Sequence, residues 1–145
     1  MRIKTKVDEL VNKYNTICPF ELADQLNIIV RHLPLGSLKG LYQLILDDKF
    51  IILNDNLTST QKPLILAHEL GHAVLHTHDN IIAFKRHTLF SHSKLETEAD
   101  TFASELLLYD FNISDYEGYT TQQIAACLQL PTHLVQLKLK SLGYF

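Results

Sequence analysis

The chain has 145 residues, 46% of them hydrophobic and 20% charged, a composition that suits one globular domain over residues 1–145 and excludes disorder of the low-hydrophobicity kind. Its net charge of −3, with no run of like charges, gives no footprint for wrapping nucleic acid. The N-terminal "MRIKTKVDELVNKYN" is charged throughout and no apolar run approaches about 18 residues, so neither a signal peptide nor a membrane span is expected and the chain is assigned to the cytoplasm.

From the N-terminus, Val7, Leu10, Val11 and Tyr14 recur at helical spacing between Lys4 and Asn15, and Pro19 to Leu26 reads as a second short helix opened by its proline. These two helices make up residues 1–26. "NIIVRHLPLG" then reads as a strand. "LYQLIL" and "FIILN" follow as a hairpin interrupted by Asp47, Asp48 and Lys49, which gives a small three-stranded sheet. In "TSTQKPLILAHELGHAVLH", Ser59 or Thr60 can cap a helix and Pro63 is tolerated in its first turn. That helix is apolar nearly all round apart from its histidines and Glu69, the pattern of a buried helix.

Residues 77–93 lose periodicity and read as a loop or loose strand, after which a strong helix runs from about Lys94 to Leu108. Residues 109–145 carry two short helices, with Thr120 or Thr121 and Thr132 as caps. Cys18 and Cys127 lie far apart without metal-clip spacing and read as reduced core thiols. The expected fold class is α+β: a small sheet packed on two central helices, with helical segments at both ends.

"HELGH" at 68–72 carries the chemistry. Residues four apart on a helix lie one above the other, so His68 and His72 present two imidazoles on one face, a spacing that suits a single zinc ion. Glu69 projects beside that position, where a carboxylate serves as general base toward water. This is the HExxH arrangement of zinc hydrolases.

A third ligand must come from elsewhere. His78 occupies the position of the third histidine in HExxHxxGxxH, but residue 75, where the turning glycine belongs, is leucine. His76 is about 12 Å along the helix axis from His68, too far to share its metal, and reads as a helix-end imidazole near the negative end of the dipole. In "KLETEADTFASELLL", Glu96 lies beside the apolar face and is the acid best placed to reach inward, with Asp100 next to it on the same side. An E-x-x-x-D pair suits a zinc site, since the first carboxylate binds metal and the second accepts the N–H of a ligating histidine. Two alternatives stay open: Ser93 and Glu96 match a capping box, and Glu98, on the other flank with Glu105, could be the ligand instead.

"HELGHAVLH" followed by "ETEADTFASELLL" closely resembles the ImmA/IrrE family of zinc metallo-endopeptidases, through Glu96, Ala99, Asp100, Phe102, Ala103, Leu106 and Leu107. The two motifs and the preceding "FIILND" cover about residues 40–108, and the flanking regions are more loosely similar to small prophage and mobile-element members. The family usually has proline after its two leucines, where this chain reads "LLLYD". The resemblance implies a zincin-like, gluzincin-like core in which His68, His72 and Glu96 bind one zinc ion and Glu69 is the catalytic base. It also implies a protein substrate, a helix-turn-helix repressor whose cleavage derepresses a mobile element.

Amide hydrolysis needs one more donor for the developing oxyanion, and His87, His92, Tyr42 and Tyr109 are candidates. Two readings compete with proteolysis. A non-proteolytic anti-repressor would act by binding the regulator, although a structural metal site has no use for Glu69. Direct DNA binding would use "QQIAACLQLPTHLVQLKL", but its second helix offers only Lys138 and Lys140 as phosphate contacts.

Overall fold

A computed structural model describes residues 2–79 and 94–145 of the chain. Helix α1 (Arg2–Tyr14) buries Val7 and Leu10, the centre of its apolar stripe. Asn15 adopts a left-handed conformation (φ 54°) beyond its last turn, a role that asparagine tolerates better than most residues. Helix α2 (Pro19–Gln25) opens on its proline and buries Leu22 and Ala23.

Strands β1 (Ile29–Leu33), β2 (Gly40–Ile45) and β3 (Asp48–Asn54) form a sheet of order β1-β3-β2. β3 pairs in parallel with β1 and antiparallel with β2. Ile45 pairs with Asp48, so the hairpin turn is Leu46 and Asp47, both at positive φ (50° and 70°). This differs from the expected break at Asp47, Asp48 and Lys49. A two-residue turn with both residues left-handed matches the twist of the strands, which lets Asp48 and Lys49 join β3. From there Lys49 Nζ donates to the Ala73 carbonyl at 3.0 Å. Burial, and then the neighbouring Lys6, hold its ammonium below the usual lysine range. In the loop before β2, the buried Asn54 amide donates to the carbonyls of Gly36 (3.0 Å) and Leu38 (2.7 Å), which fixes the entry into Gly40.

Helices α3 (Gln61–Leu75) and α4 (Lys94–Leu107) are the two long central elements. Thr60 occupies the N-cap position of α3 without a side-chain hydrogen bond; instead the backbone N–H groups of Thr58 and Gln61 each donate to the other's side-chain oxygen, at 3.0 and 3.1 Å. That is the capping-box exchange, centred two residues earlier than Thr60. Leu66 and Leu70 of α3 and Phe102 and Leu106 of α4 are fully buried together with Tyr42, Ile51 and Leu53 of the sheet. Each such side chain contributes about 1.5–3 kcal/mol relative to exposure. The sheet lies against α3, and α4 packs on α3 from the other side, so the HELGH segment is enclosed between them.

After a short 3₁₀ turn (Ile113–Tyr116), helices α5 (Thr121–Leu128) and α6 (Thr132–Ser141) form a hairpin with its own apolar cluster of Leu108, Ile124, Ala125, Val135 and Leu139. Thr120 caps α5 in a full capping box with Gln123. Thr132 does not cap α6; Pro131 occupies that position, with no side-chain hydrogen bond. Cys18 and Cys127 are free thiols, but Cys127 is exposed, not in the core, because Ile124 and Ala125 take the inward positions of α5. Lys138 is buried against α4, with Nζ 2.8 Å from Glu105 Oε1, while Ser141 Oγ donates to Glu105 Oε2 at 2.8 Å. The DNA-binding reading thereby loses one of its two phosphate contacts. Among the described residues no helix is long and apolar enough to cross a membrane.

Candidate metal centre

The 3.6-residue period of α3 stacks His68 below His72, and both rings point at α4. There, one oxygen of Glu96 meets both: Oε2 is 2.9 Å from His68 Nε2 and 3.2 Å from His72 Nε2. Among the described residues, His68, His72 and Glu96 form the group able to hold a metal ion, with one ligand atom from each lying within 4.8 Å of the others. Two imidazole nitrogens and a carboxylate are a suitable donor set for zinc. The second oxygen, Glu96 Oε1, is buried and has no hydrogen-bond partner among the described residues, as expected for a carboxylate shaped to hold a cation. The residues present therefore fit a divalent ion.

Asp100, one turn after Glu96, places Oδ1 2.8 Å from His68 Nδ1, the ring nitrogen turned away from Glu96. Glu69 is buried in the floor of a cavity of about 290 Å³ that also reaches His68 and Asp100. Gly40 of β2 closes one side: a Cβ there would lie 2.8 Å from Ile65 Cγ2 and 3.3 Å from Glu69 Cγ. Pro131, His133 and Leu134 of the C-terminal hairpin form the opposite wall.

The other sequence candidates lie elsewhere. His78 is exposed and outside the group. Tyr42 is fully buried and its hydroxyl donates to the Thr77 carbonyl at 2.7 Å, so it is not available as an oxyanion donor. Tyr109 lies against α1, with Lys4 Nζ 5.8 Å from its ring centroid. His87, His92 and Ser93 lie outside the described residues.

His76 and Glu98 need correction. His76 does sit at the helix end, but its ring is buried and bonded on both sides: Nδ1 is 3.0 Å from His72 Nδ1 and Nε2 is 2.8 Å from Glu98 Oε1. Glu98, the alternative ligand, thus pairs with His76 and lies outside the three-residue group. The clue was present in the sequence, since His76 is four residues from His72 just as His72 is from His68. That spacing puts His76 beyond reach of the metal and within reach of His72. His133, with Nε2 3.5 Å from Asp100 Oδ2, had no local signal at all.

Burial alone would push the Glu96 carboxyl up, but its hydrogen bonds with His68 and His72 outweigh that and hold it far below the usual carboxylate range. Burial lowers the His72 imidazole from its ordinary 6.5, against the opposing pull of Glu96 and Glu69. A carboxylate kept ionised beside an imidazole kept neutral is the protonation pattern that metal ligation requires.

Comparison with known proteins agrees in extent with this architecture. The family model described as the IrrE N-terminal-like domain, a peptidase family, matches residues 23–140. Uncharacterized immunity region protein 2 of Bacillus phage phi105 is 41% identical over 139 residues, covering 94% of this chain and 88% of the relative. Metallopeptidase ImmA of Bacillus subtilis (strain 168) is 33% identical over 149 positions, covering 99% of this chain and 87% of the relative.

Proposed function

The chain belongs to the peptidase family of the IrrE N-terminal-like domain, and from that premise we propose that it is a zinc-dependent, gluzincin-like endopeptidase. Its substrate is a partner regulatory protein, a helix-turn-helix repressor of a prophage or mobile element, met in the cytoplasm. The observation that carries this reading is Glu69, buried at the floor of a cavity beside the convergent nitrogens of His68 and His72 and the carboxylate of Glu96. The relatives support the choice of substrate: one is an immunity region protein of a phage and the other a metallopeptidase.

In this reading His68, His72 and Glu96 hold the ion. Bound there, zinc supplies Lewis-acid activation of water and of the scissile carbonyl. Glu69 removes a proton from the attacking water as its oxygen bonds to the carbonyl carbon, and delivers that proton to the amide nitrogen as the C–N bond breaks. Asp100 accepts the Nδ1–H of His68 and so keeps its Nε2 bare for the metal. The apolar cavity walls, Leu64, Ile65 and Leu134, exclude water around the base.

The test is to incubate the purified chain with the repressor encoded beside its gene. Cleavage is expected with the wild type, is lost on chelation and returns with zinc. Glu69→Gln should bind metal and leave the repressor intact. A repressor uncut in every arm overturns the protease reading for that partner, and derepression that survives Glu69→Gln supports action by binding alone.

A further inference from the structure

His76 is 6% exposed, and its ring has a partner on each nitrogen. A neutral imidazole carries one N–H donor and one bare acceptor, so proton positions along His72, His76 and Glu98 are not independent. When His72 offers a bare Nε2 to a metal, its only N–H is on Nδ1, facing His76 Nδ1 across 3.0 Å. His76 Nδ1 must then be the acceptor, and its proton sits on Nε2, 2.8 Å from the Glu98 carboxylate. Each donor meets an acceptor, and the chain ends on an anion. The other neutral tautomer of His76 would set N–H against N–H and a lone pair against the carboxylate.

We propose that His76 and Glu98 are positioning residues for His72, a carboxylate–imidazole–imidazole chain that holds this ring in the tautomer and orientation that present Nε2 to the metal. The inference rests on the assignment of His68, His72 and Glu96 as ligands and adds two residues to it. His68 meets a carboxylate directly, Asp100 Oδ1 lying 2.8 Å from its Nδ1. His72 is fully buried, and the carboxylate that serves it, on the other flank of α4, reaches it through one intervening ring.

The test measures Zn²⁺ affinity of the full chain by competition with a chromogenic chelator, together with the visible spectrum of the Co²⁺-loaded protein. Glu98→Gln and His76→Phe are each expected to weaken Zn²⁺ binding by about 10–100-fold and to shift the Co²⁺ bands. The double variant should be no weaker than His76→Phe, since both act on one chain. His76→Gln, whose amide can accept and donate, should recover part of the affinity. A merely structural role would lower the metal-free unfolding midpoint and leave both metal readouts unmoved, which overturns the proposal. Should His76→Phe fail to fold, Glu98→Gln decides alone, because its side chain is near the surface at 19% exposure. A wild-type chain that binds no Zn²⁺ overturns the ligand assignment and this inference with it; wild-type binding with unchanged variants overturns only the inference.

Discussion

Gly71 of α3 packs directly on Ala99 of α4: a Cβ on Gly71 would lie 3.0 Å from Ala99 Cα and 3.1 Å from its carbonyl oxygen. Phe102 Cβ, also at 3.0 Å, closes the remaining space. Gly71 separates His68 from His72 on one helix, and Ala99 lies between Glu96 and Asp100 on the other. The contact of two small residues therefore sets how near the carboxylates come to the imidazoles.

Gly71→Ala should force α4 outward, because the neighbours are backbone and Cβ atoms that cannot swing aside. Overpacking of this kind costs about 1–3 kcal/mol, offset by up to about 1 kcal/mol of helix propensity. Urea unfolding should show a net loss, and titration with Zn²⁺ should show weaker binding. A variant as stable as the wild type with unchanged affinity would rule out the close contact as the determinant.

At Gly40 an added Cβ would meet Ile65 Cγ2 at 2.8 Å and the Ile52 carbonyl oxygen at 3.3 Å, and Cγ2 of a helical isoleucine is held by a stiff χ1, so Gly40→Ala should cost about 1–3 kcal/mol of stability. Its Cβ also presses toward Glu69 Cγ, 3.3 Å away. A displaced base slows turnover by about 10- to 100-fold with little change in metal binding. Steady-state kinetics on the cleaved repressor, alongside a zinc titration, distinguishes this from a loss of the ion.

The buried pair Glu105–Lys138 fastens α6, and with it one wall of the cavity, to α4. Lys138→Met leaves the Glu105 carboxylate buried without its counter-charge, beside Ser141, and should cost about 3–5 kcal/mol. Adding Glu105→Gln removes the orphaned charge and should restore much of the loss. Chemical denaturation of the two variants in parallel gives the comparison, and equal destabilisation by both would contradict it.

Acid should destabilise the metal-free protein through His72. Unfolded, this imidazole takes up its proton near 6.5; folded and buried, it resists until a lower pH. Between those two values the unfolded chain binds the extra proton, so stability falls as pH drops below about 6.5 and is regained as pH rises through it. Histidine NMR titration should place the His72 midpoint below 6.5. Because the Glu96 hydrogen bond opposes the shift, Glu96→Gln should move that midpoint lower still.

Much of this was legible from short-range geometry. The stacking of His68 and His72, the Thr120 cap and the two central helices follow from helical periods and local hydrogen bonds, which act over a few residues and are written in the sequence. The hairpin was visible too, although its turn was misplaced because Leu46 is not a residue that advertises a left-handed conformation. The choice of third ligand, which the sequence left open, concerned groups far apart along the chain. Glu96 and Glu98 differ by two positions on one helix, and only the docking of α4 on α3 puts the first against His68 and His72 and the second against His76. The same holds for Lys138, a surface cation by composition and a buried partner of Glu105 in the fold.

By itself, then, the sequence determined which helix carries the two imidazoles and the base, since 3.6 residues per turn leaves no choice. Tertiary structure alone decided which carboxylate each imidazole meets. That pairing depends on how closely and at what register two helices pack, and steric contacts such as Gly71 against Ala99 set it through space, not along the chain.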